Sequence, residues 1–310
     1  MNRLLELRQH VVAVFYFEED KHERVVYQKV QHIAEERAIP CFKHGAVGIG
    51  ETTSLLKRLN PDLILVVGWR YVLPEEQYSI PGKGCIVIHD SLLPKYRGFA
   101  PMNWAIINGE KLTGATMFYM ADDIDCGDII AQKSTQIDVL DDASTLDARI
   151  TLLYLQLVSE NLPLLASGEA ARVPQDHTQA TFTCKRIPDD GLVDWSKPAY
   201  DIYNLIRGLT IPFPGAFTYL RDDLRTEKLC IWRASLDGER KRYVGCVPGR
   251  VTEIMPGTGV RVLTGDGTLI IEDVQLEDHG IVVKADQIIR SIKTTLASNP
   301  ISCCAGHGRR

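Results

Sequence analysis

The 310-residue chain holds no apolar run approaching the ~18 residues that a bilayer-crossing helix needs. No basic-then-apolar leader opens it, so neither export nor membrane insertion is expected. Positive charge is also in short supply. Lys and Arg number 35 against 40 Asp and Glu, and the net charge of −5 offers a nucleic acid no global attracting field. The eight cysteines, at 41, 85, 126, 184, 230, 246, 303 and 304, form no Cys-x-x-Cys, and no histidine cluster stands at zinc spacing, so no metal is expected. Reduced thiols in a cytoplasmic protein are the expectation, with Cys85 a small buried hydrophobe and Cys303 and Cys304 in a polar tail. Internal repeats and low-complexity tracts are missing as well. What remains is an ordinary globular balance, 45% apolar and 24% charged, over a length that suits two domains and buries a core without staples.

The first half alternates strand-like and helix-like segments. His10 to Phe17, Asp62 to Val67 and Gly84 to His89 are β-branched or apolar runs that predict buried strands. Between them, Arg24 to Arg37 and Glu51 to Leu59 carry apolar residues at helical spacing. This rhythm predicts an α/β fold with a Rossmann-like, mostly parallel sheet covered by helices. The opening segment NRLLELR reads as the last two turns of a helix running straight into a strand, whereas such folds begin with a strand and a Gly turn. The expected first strand therefore reads as missing, the alternative being a short N-terminal helix native to this protein. Further on come an alternating strand after Gly114, the acidic turn DDIDCGD, the strand IIAQKSTQI, and a long helical pattern over 143–166. Residues 169–197 are polar and irregular and read as a linker. After a short helix near 198–208, strand-like runs at 216–220, 229–233, 244–251, 259–264, 268–274 and 281–283 predict a small, OB-like C-terminal β-barrel over 198–310.

The densest group of chemically capable residues follows the Gly84–His89 run: His89, Asp90, Ser91, Leu92, Leu93, Pro94, Lys95, Tyr96, Arg97, Gly98. Ligands of open α/β folds bind beyond the carboxyl ends of strands, where this loop falls. Taken alone, a histidine at a strand end is more often a structural hydrogen-bonding group, and Lys95 and Arg97 would be a solvated loop face. The second group is the turn Asp122, Asp123, Ile124, Asp125, Cys126, Gly127, Asp128. An acidic Gly turn is common on surfaces. Both loops follow neighbouring strands, however, so they are expected to meet at one sheet edge, where an Asp beside a His orients the imidazole and stabilises its charged form.

At these two segments the chain resembles the folate-dependent formyltransferases, whose motif reads Asn-x-His-x-Ser-Leu-Leu-Pro, followed about one strand later by Asp-x-Gly. His89 precedes SLLPKYRG, and Asp125 opens Asp-Cys-Gly 36 residues later. PMNWAIINGEKLTGATMFYM between them and RIPDDGLVDWSKPAYDIYNLIRGLTIPFPGAFTYL at 186–220 extend the likeness to the two-domain branch, which includes methionyl-tRNA and nucleotide-amino-sugar formyltransferases. The resemblance implies a catalytic domain over 1–168 and transfer of a formyl group from 10-formyltetrahydrofolate to an amine, with no metal. It implies His89 and Asp125 as the catalytic pair, His89 serving the oxyanion or the proton and Asp125 orienting it, with Gly127 permitting the turn. The segment Trp69, Arg70, Tyr71, Val72, Leu73, together with Asp122, Ile124 and Gly127, would wall the folate pocket. Ser91 to Arg97 would face the amine substrate.

One position departs from the motif: its Asn, two residues before the histidine, is Val87 here. Valine donates no hydrogen bond, and loss of an oxyanion donor costs ~10²–10³ in rate. The hydrolase-type domain of 10-formyltetrahydrofolate dehydrogenases is similarly apolar at this position, so a backbone or water donor replacing the amide is the favoured reading. A hydrolase-like or inactive folate- or sugar-nucleotide-binding relative is the alternative. As acceptor, a nucleotide-linked 4-amino sugar is preferred over methionyl-tRNA. The stretch FEEDKHERVVYQK, where tRNA formyltransferases carry a basic insertion, is short and mixed in charge. A homodimer is left open.

Overall fold

The computed structural model describes residues 1–18, 29–46, 48–221, 226–239, 241–277 and 280–299. The chain divides into two units, Met1–Ala105 with Glu110–Arg186, and Ile106–Gly109 with Ile187–Arg310. In chain order the first half runs α1 (Asn2–Glu6), β1 (Val14–Tyr16), α2 (Val30–Glu36), β2 (Cys41–Lys43), α3 (Ile49–Leu59), β3 (Ile64–Val67), α4 (Glu75–Tyr78) and β4 (Cys85–His89). It continues with β5 (Arg97–Gly98), α5 (Pro101–Ile107), β6 (Leu112–Tyr119), β7 (Ile129–Gln136), α6 (Ala143–Ser167) and β8 (Phe182–Thr183).

Strands β1 and β2 pair in parallel as a sheet of their own, while β3, β4, β6 and β7 form a second sheet in that order. No strand among the described residues joins the two sheets. A Rossmann-like sheet would continue across that place. Within the larger sheet β3 and β4 are parallel, but β6 runs antiparallel to β4 and β7 antiparallel to β6. The strand run at His10 narrows to Val14–Tyr16, and the helix expected from Arg24 is seen as Val30–Glu36, since residues 24–28 lie outside the described ones.

Helix α6 begins where the sequence provides a cap. The Asp142 side chain accepts from the Thr145 backbone N–H at 2.8 Å, and the Thr145 hydroxyl returns the bond to the Asp142 N–H, so two orphan donors are met. Gly168 ends the helix in the left-handed region, at φ +81°. The buried face of α6, with Leu157, Val158 and Leu165, packs on Ile86, Ile88, Ala115 and Met117 of the sheet, and Leu4 and Leu7 close the same core. Burial pushes the Cys85 thiol up to about 12, which keeps it a neutral packing group.

In the second unit α7 (Ala199–Gly208) precedes β9 (Ala216–Arg221), β10 (Thr226–Leu236), β11 (Val251–Met255), β12 (Gly259–Leu263) and β13 (Thr268–Leu276). Then follow β14 (Val283–Lys284), α8 (Ala285–Ile288) and β15 (Thr295–Ala297). The strands order as β11-β12-β13-β10-β9-β15, with β14 beside β13, and every pairing is antiparallel. The sheet curls into a half-barrel, and a bridge between Arg250 and Thr295 ties its two end strands together. Ile202 and Ile206 of α7 fill it against Leu229, Ile231, Val262 and Ile271. The run at 244–251 is not a strand: β11 starts only at Val251. Pro248 has no N–H to donate, Gly249 turns the chain at φ +83°, and Val244 is 97% exposed with nothing to pack on. Residues 295–297 were too short a run to register as a strand by pattern.

Candidate active site

His89 is the last residue of β4, opposite Thr116 of β6, and is 7% exposed. Its Nε2 lies 2.8 Å from the Tyr96 carbonyl. A carbonyl only accepts, so that nitrogen carries the proton. Nδ1 faces Asp125 Oδ2 at 3.6 Å, too long for a hydrogen bond and close enough for the carboxylate to fix the ring's orientation. The two residues that the sequence singles out are thus brought together.

They do not meet by the expected route. Because β6 is antiparallel to β4, Tyr119 ends β6 opposite Ile86, and the Met120 N–H bonds the Cys85 carbonyl at 2.8 Å. The acidic turn therefore leaves the sheet at the start of β4, four residues or ~13 Å from His89. It reaches back because the loop after His89 holds it: the Gly98 N–H donates to Asp125 Oδ2 at 2.8 Å. Asp125 itself takes φ +47°, a left-handed conformation that Asp tolerates better than most side chains. Gly127 does not have the positive φ that a turn-forming glycine would show; a Cβ there would stand 1.7 Å from the Tyr119 carbonyl oxygen, so its role is close approach.

The His89–Gly98 loop is tied on all sides. The Ser91 hydroxyl donates to the Lys95 carbonyl at 2.7 Å, and Thr116 Oγ1 donates to the Ser91 carbonyl at 2.7 Å. Gln132 donates to the Leu93 carbonyl at 2.7 Å, ahead of a cis Leu93–Pro94 peptide. Tyr96, at φ +60°, donates its N–H to Thr181 Oγ1 and its hydroxyl to Glu110. Leu92 and Pro94 are half-buried and Lys95 is exposed. Arg97 is 3% exposed, its guanidinium engaged by Gln175 at 2.6 Å and by His177 Nδ1 at 3.0 Å.

Trp69 and Tyr71, beyond β3, join Phe17 and His44, beyond β1 and β2, in one aromatic cluster. His44 stacks on Tyr71 with centroids 3.8 Å apart, Phe17 and Trp69 meet edge-on at 5.7 Å, and Arg70 lies over Phe17. Val72 is 92% exposed and Leu73 half-buried. Asp122 accepts a bond from the Tyr78 hydroxyl, which pushes that phenol up to about 12. Asp122 and Ile124 are exposed beside the turn. Val87 lies half-buried opposite Phe118, two residues before His89 on the same strand face. Sequence reasoning missed Gln175, Thr181 and Thr183, which lie in the stretch read as a linker. They pair with the site loops through Val173–Ile129, Arg97–Phe182 and Gly98–Thr183.

Residues 5–162 match the family model described as formyl transferase, and residues 186–293 match that of the formyl transferase C-terminal domain. The chain belongs to the formyl transferase family. It is an N-formyltransferase by that membership, with both of the family's domains. A methionyl-tRNA formyltransferase of Citrifermentans bemidjiense is 36% identical over 280 residues, which cover 89% of this chain and 85% of that protein. Among solved structures, an N-formyltransferase of Helicobacter canadensis in complex with folinic acid and dTDP-3-aminofucose aligns with TM-score 0.64 at 19% identity, over 87% of this chain and 92% of that one. A methionyl-tRNA formyltransferase from Clostridium thermocellum aligns with TM-score 0.51 at 22% identity, over 73% and 94%. At these identities the structural matches establish the formyl transferase fold and leave the acceptor to other arguments. No helix among the described residues is long and apolar enough to cross a membrane.

Proposed function

We propose that this formyl transferase moves the formyl group of 10-formyltetrahydrofolate to the amino group of methionyl-tRNA, at the His89–Asp125 pair. The acceptor amine attacks the formyl carbon, the carbonyl oxygen becomes an oxyanion, and the bond to the folate nitrogen breaks as the amine's proton moves to that nitrogen. His89 exchanges the Tyr96 carbonyl for the oxyanion as donor, and Asp125 holds the ring and draws the amine's proton. Trp69–Leu73, Asp122, Ile124 and Gly127 wall the folate pocket, with Phe17 and His44 extending its aromatic side; of the Ser91–Arg97 loop, the exposed Lys95 and the half-buried Leu92, Pro94 and Tyr96 face the amine, while Ser91, Leu93 and Arg97 are buried and brace the loop.

The observation that carries the acceptor is the 36% identity, along 89% of the chain, to a protein named for methionyl-tRNA. This reverses the order of acceptors expected from the sequence, where the charge of the stretch 17–29 weighed against tRNA. Residues 19–28 of that stretch lie outside the described ones. The second reading, a nucleotide-linked 4-amino sugar, keeps the support of the net charge of −5 and of a sugar-nucleotide complex among the structural relatives. Tetrahydrofolate release is to be followed with each acceptor separately. Release with methionyl-tRNA alone is expected, and it should weaken as salt rises because phosphate contacts are screened. Release with an amino-sugar nucleotide alone would overturn the acceptor, and release with neither would overturn the activity.

Val87 yields its own prediction. Val87→Asn places an amide on the His89 face of β4; a rise in kcat of up to ~10²–10³, the worth of one oxyanion donor, is expected if oxyanion stabilisation is the deficit. An unchanged kcat in an active parent would show that a backbone or water donor already serves the oxyanion.

A further inference from the structure

We propose that Gln175 is a positioning residue for formyl transfer, clamping the Asp125 turn against the loop that carries His89. The inference rests on the proposed chemistry at His89 and Asp125, but its first observation is structural. The sheet delivers the acidic turn to the wrong end of β4, so something outside the sheet must hold Asp125 near His89. Gln175 sits where the two loops meet and is 6% exposed. Its Nε2 donates to the Asp125 carbonyl at 2.9 Å and to the Gly127 carbonyl at 2.7 Å. Its Oε1 accepts from Arg97 Nη2 at 2.6 Å.

The partners dictate the residue type. Two backbone carbonyls only accept and a guanidinium only donates, so the bridging side chain needs a two-proton donor and an acceptor in one plane. Only a primary amide has both, and the Arg97 contact fixes which way it faces. Glutamate of the same length would turn an oxygen toward the two carbonyls. Arg97 is itself braced by His177 Nδ1 at 3.0 Å, and the Thr183 hydroxyl donates to the Arg97 carbonyl at 3.0 Å. The backbone on each side of Gln175 is also fixed: Val173 exchanges both backbone bonds with Ile129, at 2.8 and 2.9 Å, and β8 pairs with β5. Gln175 thus sets two coordinates of Asp125. It holds the main chain of a residue in the left-handed region, where an unsupported non-glycine relaxes. Through Arg97 it also fixes the position of Gly98, whose N–H grips the Asp125 carboxylate.

Two measurements on the full-length protein test this. Hydrogen exchange, which needs no turnover, is expected to quicken at residues 122–128 in Gln175→Leu and in Gln175→Glu, and to stay unchanged along β10 and β13. If Leu at this position prevents folding, Glu keeps the length and the Arg97 partner and removes only the donors. The kinetic test is a cycle of Gln175→Glu with Asp125→Ala. Gln175→Glu alone should lower kcat by about tenfold, a change of ~1.4 kcal/mol in barrier, with KM for 10-formyltetrahydrofolate within about twofold. In the Asp125→Ala background the same substitution should change kcat by less than about twofold, because the residue it positions is gone. Losses that multiply in the double variant, or unaltered exchange in the turn, would overturn the proposal. Quickened exchange in the Gln175 variants, with a wild-type protein that releases no tetrahydrofolate, would leave the clamp standing and remove the transfer reaction instead.

Discussion

His89→Ala is expected to lower kcat for formyl transfer by ~10²–10⁴ while leaving the fold intact. The imidazole, at the carboxyl end of β4, turns one nitrogen to Asp125 and the other to the Tyr96 carbonyl of the following loop. On the proposed mechanism alanine removes the oxyanion donor and also the ring against which Asp125 is set, so the loss should exceed that of a single hydrogen bond. The cost to stability is smaller. The Tyr96 carbonyl loses its His89 donor, worth ~1–3 kcal/mol, against the ~5–15 kcal/mol typical of a folded domain. Tetrahydrofolate release, measured beside thermal unfolding, checks both halves. Transfer at the parent rate in a folded variant would remove His89 from the mechanism.

Gly127→Ala should be more damaging than its chemistry suggests. The added methyl would lie 1.7 Å from the Tyr119 carbonyl oxygen and 2.9 Å from its carbon, both backbone atoms with no rotamer to escape into. The Tyr119 N–H also bonds the Asp128 carbonyl at 2.9 Å, so the turn cannot open without breaking the end of the β6–β7 hairpin. A destabilisation of ~3 kcal/mol or more is expected, in the range reserved for overpacking and broken backbone networks. Because Gln175 holds the same Gly127 carbonyl, Asp125 should shift with the turn, and activity should fall even below the melting temperature. Denaturant unfolding and kcat on one preparation are the check; a variant as stable as the parent would mean that the turn has an alternative path.

What was legible in the sequence, and what was not, follows from how far each interaction reaches along the chain. His89 and Asp125 were readable because each sits in a short motif at a characteristic separation, and the core strands β3 and β4 because their apolar runs are unbroken. The route by which the pair meets was not readable. Whether β6 runs with β4 or against it depends on pairing, and no local pattern around ATMFYMA states a direction. Gln175 left no signal either, since a glutamine in a polar, Pro-containing stretch has the composition of a linker until its three partners, up to 78 residues away in the chain, are seen. Gly127 was legible as a necessary glycine but for a different reason, because the approach of Tyr119 is a tertiary fact. The strand expected at 244–251 failed where Pro248 and Gly249 overrode the apolar residues around them.

The division of the first unit's parallel strands into two sheets has a consequence apart from catalysis. In β1 and β3 one row of backbone N–H and C=O groups meets no neighbouring strand among the described residues, and the residues of β1 and β3 include Val14, Phe15, Ile64 and Val66 with no charge between them. These borders carry none of the charges that blunt an edge strand, and their protection against intermolecular pairing lies instead in their length of three and four residues. The curled sheet of the second unit has its end strands tied through Arg250 and Thr295 and offers much less of that surface. The uncharged strand borders therefore lie in the same unit as the His89–Asp125 pair, and short strands are what keep them from recruiting another chain.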